Sequence, residues 1–156
     1  MDNERKKELI RLTMKEAAKA VAKGNSPYGA VLTDKKGIVI AMDHNTVRSS
    51  GDPTAHAEMN LLRRVSQQLR TRDFFGYAIF SNTESCSMCM SACIKAGIVD
   101  YYFGSLYDKG IMSSDPDLNV FEIAKKSKNN LRIETDILKD ECLAQIENGK
   151  RVQNLP

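Results

Sequence analysis

The chain has 156 residues, 42% of them hydrophobic and 28% charged, with a formal net charge of +3. That length suits one domain with a real core, and an ordinary apolar fraction beside so small a charge excludes intrinsic disorder. No stretch approaches the ~20 apolar residues of a membrane span. Aromatic residues make up only 6%, with no tryptophan, and nothing reads as the basic stripe of a dedicated nucleic-acid binder.

In chain order, Ile10, Met14, Ala17, Ala18 and Val21 form a stripe at helical spacing, ended by Gly24-Asn25. The basic surplus of this first segment reads as a solvated helix face. Ala30 to Leu32 and Gly37 to Ala41 are short apolar runs around Asp34-Lys35-Lys36-Gly37, the mark of a hairpin. Asp43 to Pro53 is polar and reads as a loop. A second helix is expected from about Thr54 to Leu69, burying Leu61, Leu62, Val65 and Leu69. Phe74 to Phe80 predicts a strand, Cys86 to Ala96 a helix closed by Gly97, and Ile98 to Phe103 another strand. A loop over Gly104 to Asp117 leads to a helix near Leu118 to Lys126, a strand near Leu131 to Thr135 and a helix over Leu138 to Asn148. Lys150 to Pro156 is left as a tail, either disordered or laid over a neighbouring subunit. Strands alternating with helices predict the α/β class, a three-layer α/β/α sandwich with a central mixed five-stranded sheet, over 1–156 as a single domain.

Three of the four cysteines fall within eight residues, at Cys86, Cys89 and Cys93. Such clustering suits metal or catalytic work in a reducing compartment better than a disulfide framework. The opening MDNERKKELI carries charges where a signal peptide has its apolar centre, so a cytoplasmic location is expected. Cys86 and Cys89, three apart at the start of a helix, share one face, and His56 offers a third ligand from another helix start. One imidazole and two thiolates suit tetrahedral Zn2+ with a fourth position open to water, the arrangement of a catalytic site. Glu58 can serve the same centre only if its helix meets the metal end-on, because residues two apart otherwise diverge by about 200°. Asp52-Pro53-Thr54 agrees with that, Thr54 being a candidate cap. Other readings stay open here. Cys86-Ser87-Met88-Cys89 alone is compatible with a redox pair or half of a structural zinc site, and Cys93 could close a four-ligand site, although it reads better as a small core residue. Cys142 also reads as core, Met88 and Met90 as packing, and His44 as surface or pocket wall.

Asp52-Pro53-Thr54-Ala55-His56-Ala57-Glu58 followed by Cys86-Ser87-Met88-Cys89 resembles the signature of the zinc-dependent nucleobase and nucleoside deaminases. The resemblance runs over about Leu9 to Ile146 and implies a cytidine-deaminase-like fold. Within that superfamily the chain is most similar to the bacterial guanine deaminases and the tRNA-specific adenosine deaminases. The resemblance implies that His56, Cys86 and Cys89 bind zinc and that Glu58 shuttles protons without ligating it. It assigns substrate contacts to Asn45, to the Ala57 backbone and to Tyr28 of Pro27-Tyr28-Gly29-Ala30, with Asp108 a further candidate contact to an amino group or sugar. Asn45 as a loop-shaping residue and Tyr28 as plain core remain alternatives. It also implies a homodimer.

One departure stands out. Similar enzymes usually carry proline before the first cysteine, where this chain has Ser85. Serine offers a side-chain cap to the helix, so the metal site is expected to survive the change. The expected reaction is hydrolytic deamination of an amino-bearing ring with release of ammonia. Tyr28, and the absence of a Lys-Thr-Gly-Ala run after the fourth strand, favour guanine or a related aminopurine as free base or nucleoside. Adenosine in tRNA comes second and cytosine third. Glu134 to Leu138 with Asp140-Glu141-Cys142 resembles the tRNA enzymes instead.

Overall fold

The computed structural model describes residues 1–107 and 118–154. Helix α1 (Asn3–Ala22) starts at Asp2, whose carboxylate accepts the Arg5 N–H at 2.8 Å and so satisfies one of the open donors of the first turn. Strands β1 (Gly29–Thr33) and β2 (Val39–His44) follow as an antiparallel hairpin. Asp34 Oδ1 accepts from the N–H groups of Lys36 and Ile38 and shapes its turn. Next come α2 (Val47–Ser50), α3 (Ala57–Leu69), β3 (Ala78–Ser81), α4 (Ser87–Lys95), β4 (Asp100–Phe103), α5 (Val120–Lys126), β5 (Arg132–Glu134) and α6 (Lys139–Val152).

The sheet runs β2-β1-β3-β4-β5, with β1 antiparallel to both neighbours and β3, β4 and β5 parallel. Alternation along each strand divides the core into two layers. Val31, Ala78 and Phe80 meet Leu9 and Ile10 of α1 and Cys142 of α6 on one face. On the other, Ala30, Leu32, Ile79, Tyr101 and Phe103 meet Leu61, Leu62 and Val65 of α3, Met90 and Cys93 of α4 and Val120 of α5. This is the mixed α/β/α sandwich the sequence predicts. Gly29 lets α1 lie directly on β1: a Cβ there would stand 2.6 Å from the Ala17 nitrogen.

Five expectations are corrected. Leu69, at the end of α3, is half exposed rather than buried. The polar stretch from Asp43 to Pro53 is not all loop, since β2 continues to His44 and Val47–Ser50 closes a helical turn at Gly51. The third strand is shorter than Phe74 to Phe80 and holds only Ala78–Ser81. Gly76, at φ +84°, and the Asp73 carboxylate, which accepts the Phe75 N–H, curl the preceding residues into a turn. Lys150 to Val152 belong to α6 rather than to a tail, and Gln153 Nε2 donates to the Val21 carbonyl at 3.0 Å. That bond holds the end of α6 on this chain's own α1. His44 is neither surface nor pocket wall. It is buried, with Nδ1 3.2 Å from Glu16 Oε2 and Nε2 3.2 Å from Lys23 Nζ. No helix of the described residues is long and apolar enough to cross a membrane.

Candidate active site

His56 and Cys86 occupy the same place in two helices. Each is the extended residue just ahead of a first turn, His56 before α3 and Cys86 before α4, and neither side chain caps its own helix. They face each other instead, with His56 Nδ1 3.5 Å from Cys86 Sγ. Cys89, one turn into α4, brings a second sulfur, and the ligand atoms of the three residues all lie within 4.8 Å of one another. Two positive helix ends thus converge on the thiols, which favours thiolate. Cys93 lies fully buried in the core beneath α4, outside this cluster, and does not supply a fourth ligand.

The electrostatics match a cation site. Cys86 is drawn down to about 4, because Cys89 donates a hydrogen bond to its sulfur and the His56 imidazole lies beside it. Cys89 is held well above the usual thiol range by giving that bond and by burial. His56 is raised by its bond to the Cys86 thiolate. Without a cation the two sulfurs share one proton. A divalent ion beside them ionises both.

Glu58 lies in the first turn of α3, 6% exposed. Burial, followed by the nearby Cys86 charge, raises its carboxyl above the ordinary range. Its Oε1 accepts a hydrogen bond from Ser85 Oγ at 2.7 Å. Two local expectations therefore change. Ser85 does not cap α4, because its hydroxyl is committed to Glu58. Thr54 does not cap α3 either: its N–H and Oγ1 both donate to Asp52 Oδ1, at 2.8 and 2.7 Å, in a turn that delivers His56 two residues later. The end-on approach of α3 to the cluster stands as the sequence required.

These groups open on a cavity of about 430 Å³. Tyr28, Asn45, Ala57, Glu84, Met88 and Tyr107 contribute to its wall beside His56, Glu58 and Cys86. The Tyr28 and Tyr107 rings meet edge to face, 6.4 Å between centroids. The Tyr28 hydroxyl is buried without a hydrogen-bond partner, and burial raises it to about 12. Asn45 is 3% exposed; its Oδ1 accepts the Val47 N–H at 3.1 Å, which leaves the amide nitrogen to meet a ligand. Asn60 Nδ2 bonds the His44 carbonyl and Thr46 Oγ1, both at 3.0 Å, and so pins the residues on either side of Asn45 to α3. Asp108 lies outside the described residues. Sequence reasoning missed Glu84 and Tyr107. Glu84 is buried, and its Oε1 accepts the Tyr107 N–H at 2.8 Å, holding the Tyr107 backbone at the cavity. A carboxylate two residues before Cys86 was the available signal.

Residues 3–105 match the family model described as the cytidine and deoxycytidylate deaminase zinc-binding region. The chain belongs to this family. A tRNA-specific adenosine deaminase of Aquifex aeolicus is 33% identical, the match covering 73% of this chain and 80% of that one. A structure from a study of A-to-I editing by deaminases at the wobble position of transfer RNA aligns at TM-score 0.77 and 26% identity, over 88% of this chain and 98% of that one. Guanine deaminase from Nitrosomonas europaea, at 19% identity, shares the fold at TM-score 0.70 over 97% of this chain and 85% of that one. The protein is a zinc-binding deaminase of the nucleobase and nucleoside type, hydrolysing C–N bonds. Its donor set fits that metal, since one imidazole and two sulfurs within reach of a single ion are ordinary zinc chemistry.

Proposed function

We propose that the protein deaminates a small amino-bearing purine, with guanine or a related aminopurine as free base or nucleoside in first place. The cavity carries this reading. At about 430 Å³ it is sized for one ring system, two tyrosines form part of its wall, and among the described residues no Lys or Arg lines it. An unpartnered Tyr28 hydroxyl offers a donor to a ring acceptor.

In this reading His56, Cys86 and Cys89 hold zinc, which when bound acidifies water and makes it nucleophilic at neutral pH. Glu58 takes a proton from the attacking water and gives it to the adjacent ring nitrogen. The new C–O bond forms at the carbon bearing the exocyclic amine. Glu58 then carries the second water proton to that amine, the C–N bond breaks, and ammonia leaves an oxo product. Asn45 and the Ala57 N–H hold the ring edge, and Tyr28 orients the ring. Asp108 remains a candidate contact.

A second reading, adenosine in transfer RNA, is favoured by relatives that are tRNA-specific adenosine deaminases. Ammonia release by the zinc-loaded protein separates the two. The substrates are guanine, 2,6-diaminopurine, cytosine, adenosine, guanosine and an anticodon stem-loop bearing adenosine at the wobble position, with Glu58→Ala as blank. Glu58-dependent turnover of a free aminopurine supports the first reading. Turnover of the stem-loop alone replaces it with the second.

A further inference from the structure

We propose that Ser85 is a positioning residue for Glu58, holding one carboxylate oxygen so that the other is presented to the reacting ring. The inference rests on the reading of Glu58 as the proton carrier. Ser85 Oγ donates to Glu58 Oε1 at 2.7 Å, and the two residues are only 3% and 6% exposed. The bond crosses from the residue before Cys86 to the first turn of α3. It therefore ties together the two helix starts whose convergence builds the metal cluster.

A glutamate reaching a cavity from a helix start has three side-chain torsions to fix. Glu58 is 6% exposed and its carboxylate is held by its own backbone N–H and by the Ser85 hydroxyl, the latter fixing Oε1 from a different element. Oε2 is then the oxygen that takes and returns the proton, and it does so without the carboxylate rotating. Serine here has no competing duty: its hydroxyl does not cap α4, which begins at Ser87 without a side-chain cap. Proline, usual at this place in similar enzymes, has no hydroxyl to donate. This chain therefore positions its carboxylate by a bond that a proline would not supply.

Three variants test the inference, assayed on whichever compound of the panel above the wild-type protein deaminates fastest, together with crystal structures of the zinc-loaded proteins. Ser85→Ala is expected to keep zinc and to lose about tenfold to hundredfold in kcat with KM little changed. Its Glu58 carboxylate should be displaced or spread over rotamers. Ser85→Thr, which retains the hydroxyl, should recover most of the rate. Wild-type kcat in Ser85→Ala overturns the inference, and so does an unmoved Glu58 carboxylate in its structure, whatever the substrate. If Ser85→Ala loses zinc, the structure of the Ser85→Thr protein decides: a threonine hydroxyl bonded elsewhere overturns the inference. Glu58→Ala runs beside these variants. Full activity there removes the parent reading, whereas an inactive Glu58→Ala with an unaffected Ser85→Ala removes this inference alone.

Discussion

The Asn82 side chain holds Gly29 to the end of β3, its Oδ1 accepting the Gly29 N–H at 3.0 Å. The other end of the same amide, Nδ2, donates to the Pro27 carbonyl at 2.9 Å. Tyr28 sits between these two anchors, so a fully buried asparagine sets where the cavity's aromatic wall stands. Asn82→Ala leaves a buried donor and a buried acceptor unmade, and should destabilise the protein by roughly 3 kcal/mol. Denaturant melts measure that loss. Steady-state kinetics should show KM rising more than kcat falls, because the zinc cluster is built on other elements.

Glu58→Gln should hold zinc and lose about 10²- to 10⁴-fold in kcat, the usual worth of a positioned acid–base group. Metal analysis and ammonia release check both halves. Stability moves the other way in the metal-free protein. Burial raises the folded carboxyl above its reference of 4.5, so between that value and the raised one the folded state binds more protons than the unfolded state. Stability therefore falls as pH rises through this window. Glutamine removes the titration, and the melting temperature of metal-free Glu58→Gln should gain on wild type between acid and neutral pH. An equal difference at both ends of that range would show that the carboxyl is not desolvated.

Much of this was legible before the structure. Short apolar runs and helical stripes placed every strand and all helices but α2, although β1 and β3 are buried along their whole length and show no alternation. The cluster of His56, Cys86 and Cys89 was legible because groups able to hold a metal have few substitutes and fixed spacing. What stayed hidden were partnerships between residues distant in sequence. Ser85 is a good cap by type, and only tertiary placement shows that its hydroxyl serves Glu58. His44 looked like a loop histidine because its partners, Glu16 in α1 and Lys23 just past its end, lie about twenty or more residues earlier.

Tyr28→Phe separates two roles of one side chain. The buried hydroxyl has no partner, and leaving such a group unmade costs about 1–3 kcal/mol. Its removal should raise the melting temperature by a few degrees. If the hydroxyl meets the substrate, kcat/KM for the preferred purine falls about tenfold in the same variant. A more stable protein with unchanged kcat/KM would leave Tyr28 as a packing ring.

Zinc uptake should depend on pH with two slopes. Binding requires a neutral His56 and both sulfurs ionised. Cys86, at about 4, is already a thiolate through the neutral range, whereas Cys89 is held protonated. One proton, that of Cys89, therefore leaves with each zinc bound above the His56 titration, and apparent affinity falls about tenfold for each pH unit lost. His56 titrates above its reference of 6.5, because the Cys86 thiolate favours its charged form. Below that point two protons leave, and the loss steepens to about a hundredfold per pH unit. Competition with a chromogenic chelator across the range gives the slope directly. A two-proton slope at alkaline pH would mean that Cys86 is not ionised before the metal arrives, and that the Cys89 hydrogen bond and the His56 imidazole do less than their geometry implies. His56→Ala should remove the break and leave a single slope, since the proton lost at the break is the imidazole's own.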